Sequence, residues 1–240
     1  MKREGIALAG ALMLFLGNSQ ATLHDRGGGL LYDDVLKITW LQDANYAQTS
    51  GYSFDGTMNW AAGKAWADGL VYAGYSDWRL ATNSPVNGTL AGWNYNSSNN
   101  GSTDWGFNIT STHSEMSYMY YVNLGLKGYK SPSGAAQSDY GIFGNGTTGG
   151  QKNVGPVHNL QSGAYWSEAR GVPGSDFLAW NFYMTIGEQG QKISSYGTSY
   201  SWAVRAGDVP AIPEPESYAL MLTGIGMVGF ATRRRRSTNA

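Results

Sequence analysis

Fifteen uncharged residues, Tyr218 to Thr232 (YALMLTGIGMVGFAT), run directly into four arginines, Arg233, Arg234, Arg235 and Arg236. That order reads as a membrane element rather than part of a soluble core. The arginines stay cytoplasmic as a basic anchor and hold the preceding domain outside. At about 1.5 Å per residue the segment reaches roughly 22 Å, short of a hydrocarbon core of about 30 Å. Local thinning and flanking side chains close such a gap. Physically this is a stop-transfer tail. At the other end, Lys2 and Arg3 precede twelve apolar residues, Gly5 to Leu16, and then the small-residue run Ser19-Gln20-Ala21. The run is too short to span comfortably, so a signal peptide cut after Ala21 by signal peptidase is expected, with a retained N-terminal anchor as the alternative.

Subtracting both ends leaves one folding unit between 22 and 212, large enough to bury a core without staples. Cysteine is absent, which removes disulfides, thiolate metal sites and cysteine nucleophiles. The chain is 14% charged, against about 25% in an average domain. Aromatics reach 13%, with 16 Tyr and 9 Trp, and they supply the area to bury. With the basic and acidic residues of the two ends set aside, the middle carries about −4. No basic stripe remains, so nucleic acid is not expected as a partner.

Leu30 to Asp34 and Leu36 to Leu41 read as two short strands around a turn. Asn59 to Tyr72 reads as a helix capped by Asn59, with Met58, Ala62, Ala65, Trp66, Gly69 and Leu70 on its apolar face. Ser114 to Leu124 is a weaker helix, with Met116, Tyr120 and Leu124 spaced by four. The stretches 83–112 and 131–155, rich in Gly, Asn, Ser and Thr, read as decorated loops. Strand character returns at Ala164 to Ser167, Phe177 to Ile186 and Tyr200 to Arg205.

Two resemblances follow from these residues. Ile212-Pro213-Glu214-Pro215-Glu216-Ser217, the apolar segment and the arginines together resemble the PEP-CTERM sorting signal. That resemblance implies a Gram-negative exporter, an exosortase that recognises Pro213, Glu214 and Pro215 and removes the tail, and an inner-membrane-tethered intermediate. Delivery to the cell surface or extracellular matrix follows. Leu31-Tyr32-Asp33, Thr39 to Ala44, Met58 to Ala61, Gly74 to Thr82 (GYSDWRLAT), Tyr165-Trp166-Ser167 and Trp202 to Arg205 jointly resemble DUF1566. That family is also named after the C-terminal domain of a Legionella collagen-like adhesin. Its usual W-R-L-P-T reads W-R-L-A-T here, with Ala81 in place of the proline, and its helix cysteine is missing. The signature is similar to that of C-type lectins and the formylglycine-generating enzyme. It implies an α+β fold with a small antiparallel sheet, one or two helices and long loops. The resulting organisation is a signal peptide at 1–21, a flexible mature N-terminus at 22–28 and the DUF1566-like domain at 29–208. A linker at 209–217 carries the Pro-Glu-Pro motif, followed by a transmembrane sorting helix at 218–232 and a basic cytoplasmic tail at 233–240.

Chemistry-bearing residues are few. Arg79 could offer a donor fork to a ligand, but a buried ion pair with Asp33, Asp34 or Asp77 is the expected use, with Trp78 in the core. Trp202 and Arg205 are read the same way. His24, His113 and His158 have no metal-ligand spacing, and no nucleophile stands near a base in sequence. The G-x-G-x-x-G runs at 144–149 and 224–229 lack the strand and helix a dinucleotide site needs. Asn96, Ser98, Asn100, Gly101 and Asp104 only loosely echo a calcium loop, since the twelfth position is Phe107. No cofactor is expected, with calcium in another loop site left open. Trp93, Tyr95, Trp105 and Phe107, among amides and hydroxyls, are the candidate ligand contacts. The alternative is that they anchor the loop. A non-enzymatic protein that binds exopolysaccharide or another surface protein is therefore expected, ahead of a purely structural envelope protein. An enzyme related in fold to the formylglycine-generating type comes last.

Overall fold

The computed structural model describes residues 23–88, 92–171 and 177–211. The signal segment, the Pro-Glu-Pro motif, the expected helix at 218–232 and the arginine tail at 233–240 lie outside the described residues. No helix among the described residues is long and apolar enough to cross a membrane.

The first sheet begins as a meander of β1 (Leu23–Gly27), β2 (Leu30–Asp33) and β3 (Ile38–Leu41), paired antiparallel in turn. Asp33 sets the β2–β3 turn, because its Oδ1 accepts the backbone N–H of Val35 and Leu36. Most of segment 22–28, expected to be flexible, is β1 instead. The open edge of β2 supplies backbone partners, and composition alone gives no sign of them. β14 (Ala203–Ala206) lies antiparallel between β3 and β5 (Arg79–Leu80), giving the order β1-β2-β3-β14-β5.

The second sheet is larger than the small sheet expected from the sequence. Its order is β4 (Thr57–Met58), β13 (Ser199–Tyr200), β10 (Ala164–Arg170), β11 (Leu178–Tyr183), β12 (Glu188–Ile193), β7 (Trp105–Gly106) and β6 (Ser97–Ser98). Two of its pairings, β10 with β13 and β6 with β7, are parallel. β8 (Gln151–Val154) and β9 (Val157–Gln161) form a separate ribbon. The run read as one strand from Tyr200 to Arg205 is split between the two large sheets. Trp202 sits in the break, fully buried, donating its indole N–H to Leu41 O at 2.7 Å and packing 4.7 Å from the Trp40 ring. The run expected as one strand from Phe177 to Ile186 stops at Tyr183, where Ile186 and Gly187 both donate to Tyr183 O and turn the chain into β12.

Few helices accompany the sheets: α1 (Tyr46–Thr49), α2 (Trp60–Asp68) and α3 (Glu115–Tyr118), the last continued by a wider π-type turn at Met119–Asn123. Asn59 caps α2 as expected, its Oδ1 accepting Ala62 N–H at 2.9 Å. The helix ends at Asp68 rather than Tyr72. Tyr72 and Tyr75 exchange both backbone hydrogen bonds across Ala73 and Gly74, each with positive φ, and that tight reversal leaves no room for another helical turn. The buried face is also rotated from the expected one: Trp60, Gly63, Trp66 and Ala67 point inward, while Ala65 and Gly69 are exposed. Gly63 is the reason. A Cβ there would lie 2.4 Å from Ser201 Oγ and 3.4 Å from Trp166, so only glycine lets α2 approach the second sheet this closely.

The core is built on indoles. Trp40, Trp166, Trp180 and Trp202 are all fully buried. Trp60, Trp78, Trp166 and Trp202 each donate Nε1–H to a backbone carbonyl, of Ser167, Tyr75, Met58 and Leu41 respectively. Large rings supply the burial that a weakly charged chain needs, although the enclosed N–H groups of Trp40 and Trp180 find no partner.

Candidate functional site

The stretch 83–112 has a framework of its own. Asp104, fully buried, accepts the backbone N–H of Val86 at 2.7 Å and of Asn94 at 2.6 Å, tying both limbs of the loop to one carboxylate. Gln189 Nε2 donates to Asp104 O from β12, and Asn108 Nδ2 donates to the carbonyls of Asn99 and Lys130. β6 and β7 then add the loop to the edge of the second sheet. Within the loop Asp104 is occupied by backbone donors, and Asn100 Oδ1 accepts from Ser102 of its own turn. Among the described residues, no three His, Cys, Asp or Glu side chains come together as a metal site.

This framework lays Trp93 and Tyr95 against Trp180 of β11. Ring centroids are 5.0 Å apart for Trp93–Trp180, 6.1 Å for Tyr95–Trp180 and 6.3 Å for Trp93–Tyr95, with interplanar angles of 18°, 15° and 19°. Three nearly parallel rings result. Trp105 meets Trp180 edge-on at 6.4 Å and donates its Nε1–H to Glu188 Oε1 at 3.2 Å. Burial pushes the Glu188 carboxyl above the ordinary carboxylate range, partly offset by that hydrogen bond. Burial likewise raises the Tyr95 phenol, with the Asp104 charge adding to it. Trp93, Tyr95 and Trp105 remain half-exposed, whereas Phe107 is buried and leaves the set.

Enclosed polar atoms without a partner accompany the rings. They are Trp180 Nε1, Tyr95 Oη and both amide atoms of Gln191, which stands directly opposite Trp180 in register. An unmet buried donor or acceptor costs about 1–3 kcal/mol. Half-exposed aromatic rings set among the amides and hydroxyls of a polar loop are the chemistry that stacks on a sugar ring. Trp180 was legible as a strand aromatic. Gln191 was not, because the polar run EQGQKI carries no strand signal.

The remaining singled-out residues are structural. Arg79 pairs with neither Asp33, Asp34 nor Asp77 but with Glu115, through two bonds of 2.8 Å, and Glu115 also accepts Thr82 N–H at 2.7 Å. Glu115 was overlooked because its helix, α3, follows a long loop. Asp77 instead pairs with Arg205, whose guanidinium lies 4.0 Å from the Tyr75 ring centroid. Trp78 is buried beside Tyr72. His24 is held 3.1 Å from Asp34, His113 3.3 Å from Ser84 Oγ, and His158 lies exposed on β9, so the three are not brought together. The sorting residues Pro213, Glu214 and Pro215, the basic anchor Arg233, Arg234, Arg235 and Arg236, and the cleavage residue Ala21 all lie outside the described residues.

A family model described as the PEP-CTERM protein-sorting motif matches residues 211–236. The matched span takes in Pro213, Glu214 and Pro215 and closes on Arg233, Arg234, Arg235 and Arg236. The chain thus carries an exosortase-type sorting address at its C-terminus. The match does not extend into 29–208, and no curated protein and no solved structure matches the chain.

Proposed function

We propose that this is an exported, exosortase-sorted surface or matrix protein that binds extracellular polysaccharide without catalysing a reaction. Its contact surface is the half-exposed ring set Trp93, Tyr95 and Trp105 around Trp180. The observation that carries the reading is the near-parallel packing of Trp93 and Tyr95 on Trp180, with Trp93, Tyr95 and Trp105 left half-exposed among polar loop residues. The lectin-like resemblance over 29–208 agrees with it, though sites are grafted onto folds and the ring chemistry bears the weight.

The position of the chain ends also supports the reading. Leu23 pairs with Asp33, Asp33 with Ile38, and Ile38 with Ala206, so the mature N-terminus and the strand leading to the sorting motif meet at one end of the first sheet. The ring set belongs to the other sheet, with Trp180 on its central strand β11 and Trp105 on β7. A domain tethered through 209–217 therefore keeps its tether and its contact surface on different sheets.

A glycan array probed with the mature protein tests binding. Retention on at least one neutral or acidic polysaccharide is expected, and no retention on any sugar would sink the proposal. Intact mass of protein recovered from envelope and medium tests sorting. Loss of residues 1–21 and of the arginine-ended tail is expected, and a retained tail would make the chain a single-pass membrane protein. The competing reading, a structural envelope protein whose rings only anchor their loop, draws on the complete burial of Trp180. It requires every binding phenotype to survive removal of Trp93 and Trp105.

A further inference from the structure

A second concave surface lies apart from the ring set, between α1 with the turn after it and the last turn of α2. It encloses about 400 Å³, bounded chiefly by Tyr46, Ser50, Tyr52, Trp66, Leu70 and Val71. That volume is near the small end of ligand pockets, about 300–1,000 Å³. Trp66 forms the floor at 4% exposure, while Tyr52 and Val71 stand at the rim at 59% and 71%. None of these residues belongs to the loop that carries Trp93 and Tyr95.

Three features give the groove a chemistry. Among the described residues no charged side chain lines it, which disfavours phosphates, carboxylates and cations as occupants. Its polar groups are neutral: the hydroxyls of Tyr46, Tyr52 and Ser50, and the indole N–H of Trp66. Four other buried indoles donate to backbone carbonyls, while those of Trp40 and Trp180 are enclosed without a partner; the Trp66 indole N–H has no hydrogen bond among the described residues and is not among the enclosed unpaired atoms. Its wall is also braced. Tyr46 packs edge-on against Tyr72 at 4.9 Å, and the Tyr72 hydroxyl donates to Gly28 O at 2.9 Å. A wall fixed before binding loses little freedom when a ligand arrives.

We infer that this groove is a second binding site, for one unit of an uncharged saccharide. A sugar ring stacks its C–H face on tyrosine and tryptophan and offers hydroxyls to the free indole donor and the hydroxyl rim. Together with the ring set on the second sheet, and resting on that reading, it makes the domain bivalent, able to bridge two polysaccharide chains rather than coat one. Bivalency raises retention on a polymer well beyond either site alone.

The test is isothermal titration of the mature protein with three neutral probes, cellotetraose, maltotetraose and mannotetraose. Wild type is compared with Tyr52→Ala, Ala65→Trp and Trp93→Ala. Ala65 and Tyr52 are both exposed, so their variants keep the fold, checked by thermal melting. Saturable binding of at least one probe is expected. Ala65→Trp, which fills the groove, and Tyr52→Ala, which removes a rim ring, should each weaken it at least fivefold, with Trp93→Ala leaving a measurable site. No binding of any probe overturns the inference, as does binding unchanged in Ala65→Trp. Binding of an acetylated Leu-Phe amide with no sugar bound also overturns it, in favour of an apolar peptide groove. Loss confined to Trp93→Ala would spare the ring-set proposal and remove this one.

Discussion

Arg26 and Asp208 stand 182 residues apart in sequence and form a two-bond fork, Nε to Oδ1 at 2.8 Å and Nη2 to Oδ2 at 2.6 Å. The pair clips β1 to the segment that leaves β14, so both ends of the domain are closed by one contact. The Arg26 guanidinium holds the Asp208 carboxyl below the ordinary carboxylate range. A depressed folded-state pKa contributes stability above the unfolded value, about 3.9, and loses it as pH falls through the folded value. Acidification below about pH 4 should therefore lower the protection of the amides in Leu23–Gly27, relative to their intrinsic exchange rates at the same pH, before that of the rest of the sheet. Arg26→Ala should give the same loss of protection at pH 7 with little change in melting temperature. Hydrogen exchange by mass spectrometry reads both. Equal exchange in wild type and variant at pH 7 would show that the fork does not hold β1.

The Arg79–Glu115 pair is a different case. Glu115 is nearly enclosed and also accepts Thr82 N–H, so its loss leaves a half-buried guanidinium and an amide without that acceptor. Glu115→Ala should cost about 1–3 kcal/mol in urea unfolding. Asp77→Asn, which breaks the more open pair with Arg205, should cost no more than about 1 kcal/mol. Similar losses for the two would contradict the assignment of Glu115 as the interior anchor.

Gly63→Ala reverses the usual helix preference. Alanine normally gains about 1 kcal/mol over glycine in a helix. Here the added methyl meets Ser201 Oγ at 2.4 Å, and overpacking of that kind costs about 1–3 kcal/mol. Ser201→Ala removes that oxygen, which has no hydrogen-bond partner, and should restore most of the loss in the double variant. A double-mutant cycle measures this, and strict additivity would rule out the contact as the cause.

Asp104→Ala should release the ring set without touching it. With Val86 and Asn94 N–H unpaired, the loop loses the carboxylate that joins its limbs. The expected outcome is a loss of the exciton signal from stacked Trp93 and Trp180 in circular dichroism, with the main melting transition retained. An unchanged spectrum would mean the rings hold the loop by themselves.

How much of this was legible in the sequence depended on whether a residue's partner was local and whether its segment carried an apolar pattern. The β2–β3 hairpin and the Asn59 cap rest on neighbours a few residues away and match the sequence reading, while the helix expected over Ser114 to Leu124 is divided into the short α3 and the π-type turn at Met119–Asn123. The end of α2 was misplaced because the Tyr72–Tyr75 reversal puts a non-glycine, Ala73, at positive φ, which no sequence preference signals. The Glu115 partner of Arg79 was missed because it lies 36 positions away, whereas β1 and β12 pair with their chain neighbours and were missed because LHDRG and EQGQKI carry no apolar strand pattern. At the candidate site, Trp93, Tyr95 and Trp105 stood out as loop aromatics. Trp180 beneath them and Gln191 opposite it became visible only once β11 and β12 were paired.

The most direct test of the account is retention of the mature protein on extracellular polysaccharide, comparing wild type with Trp93→Ala/Tyr95→Ala at matched melting temperature. Each stacked ring contributes about 0.5–1.5 kcal/mol, so the double variant should bind roughly tenfold to a hundredfold more weakly. Undiminished retention would contradict the account and leave the rings as anchors of their own loop.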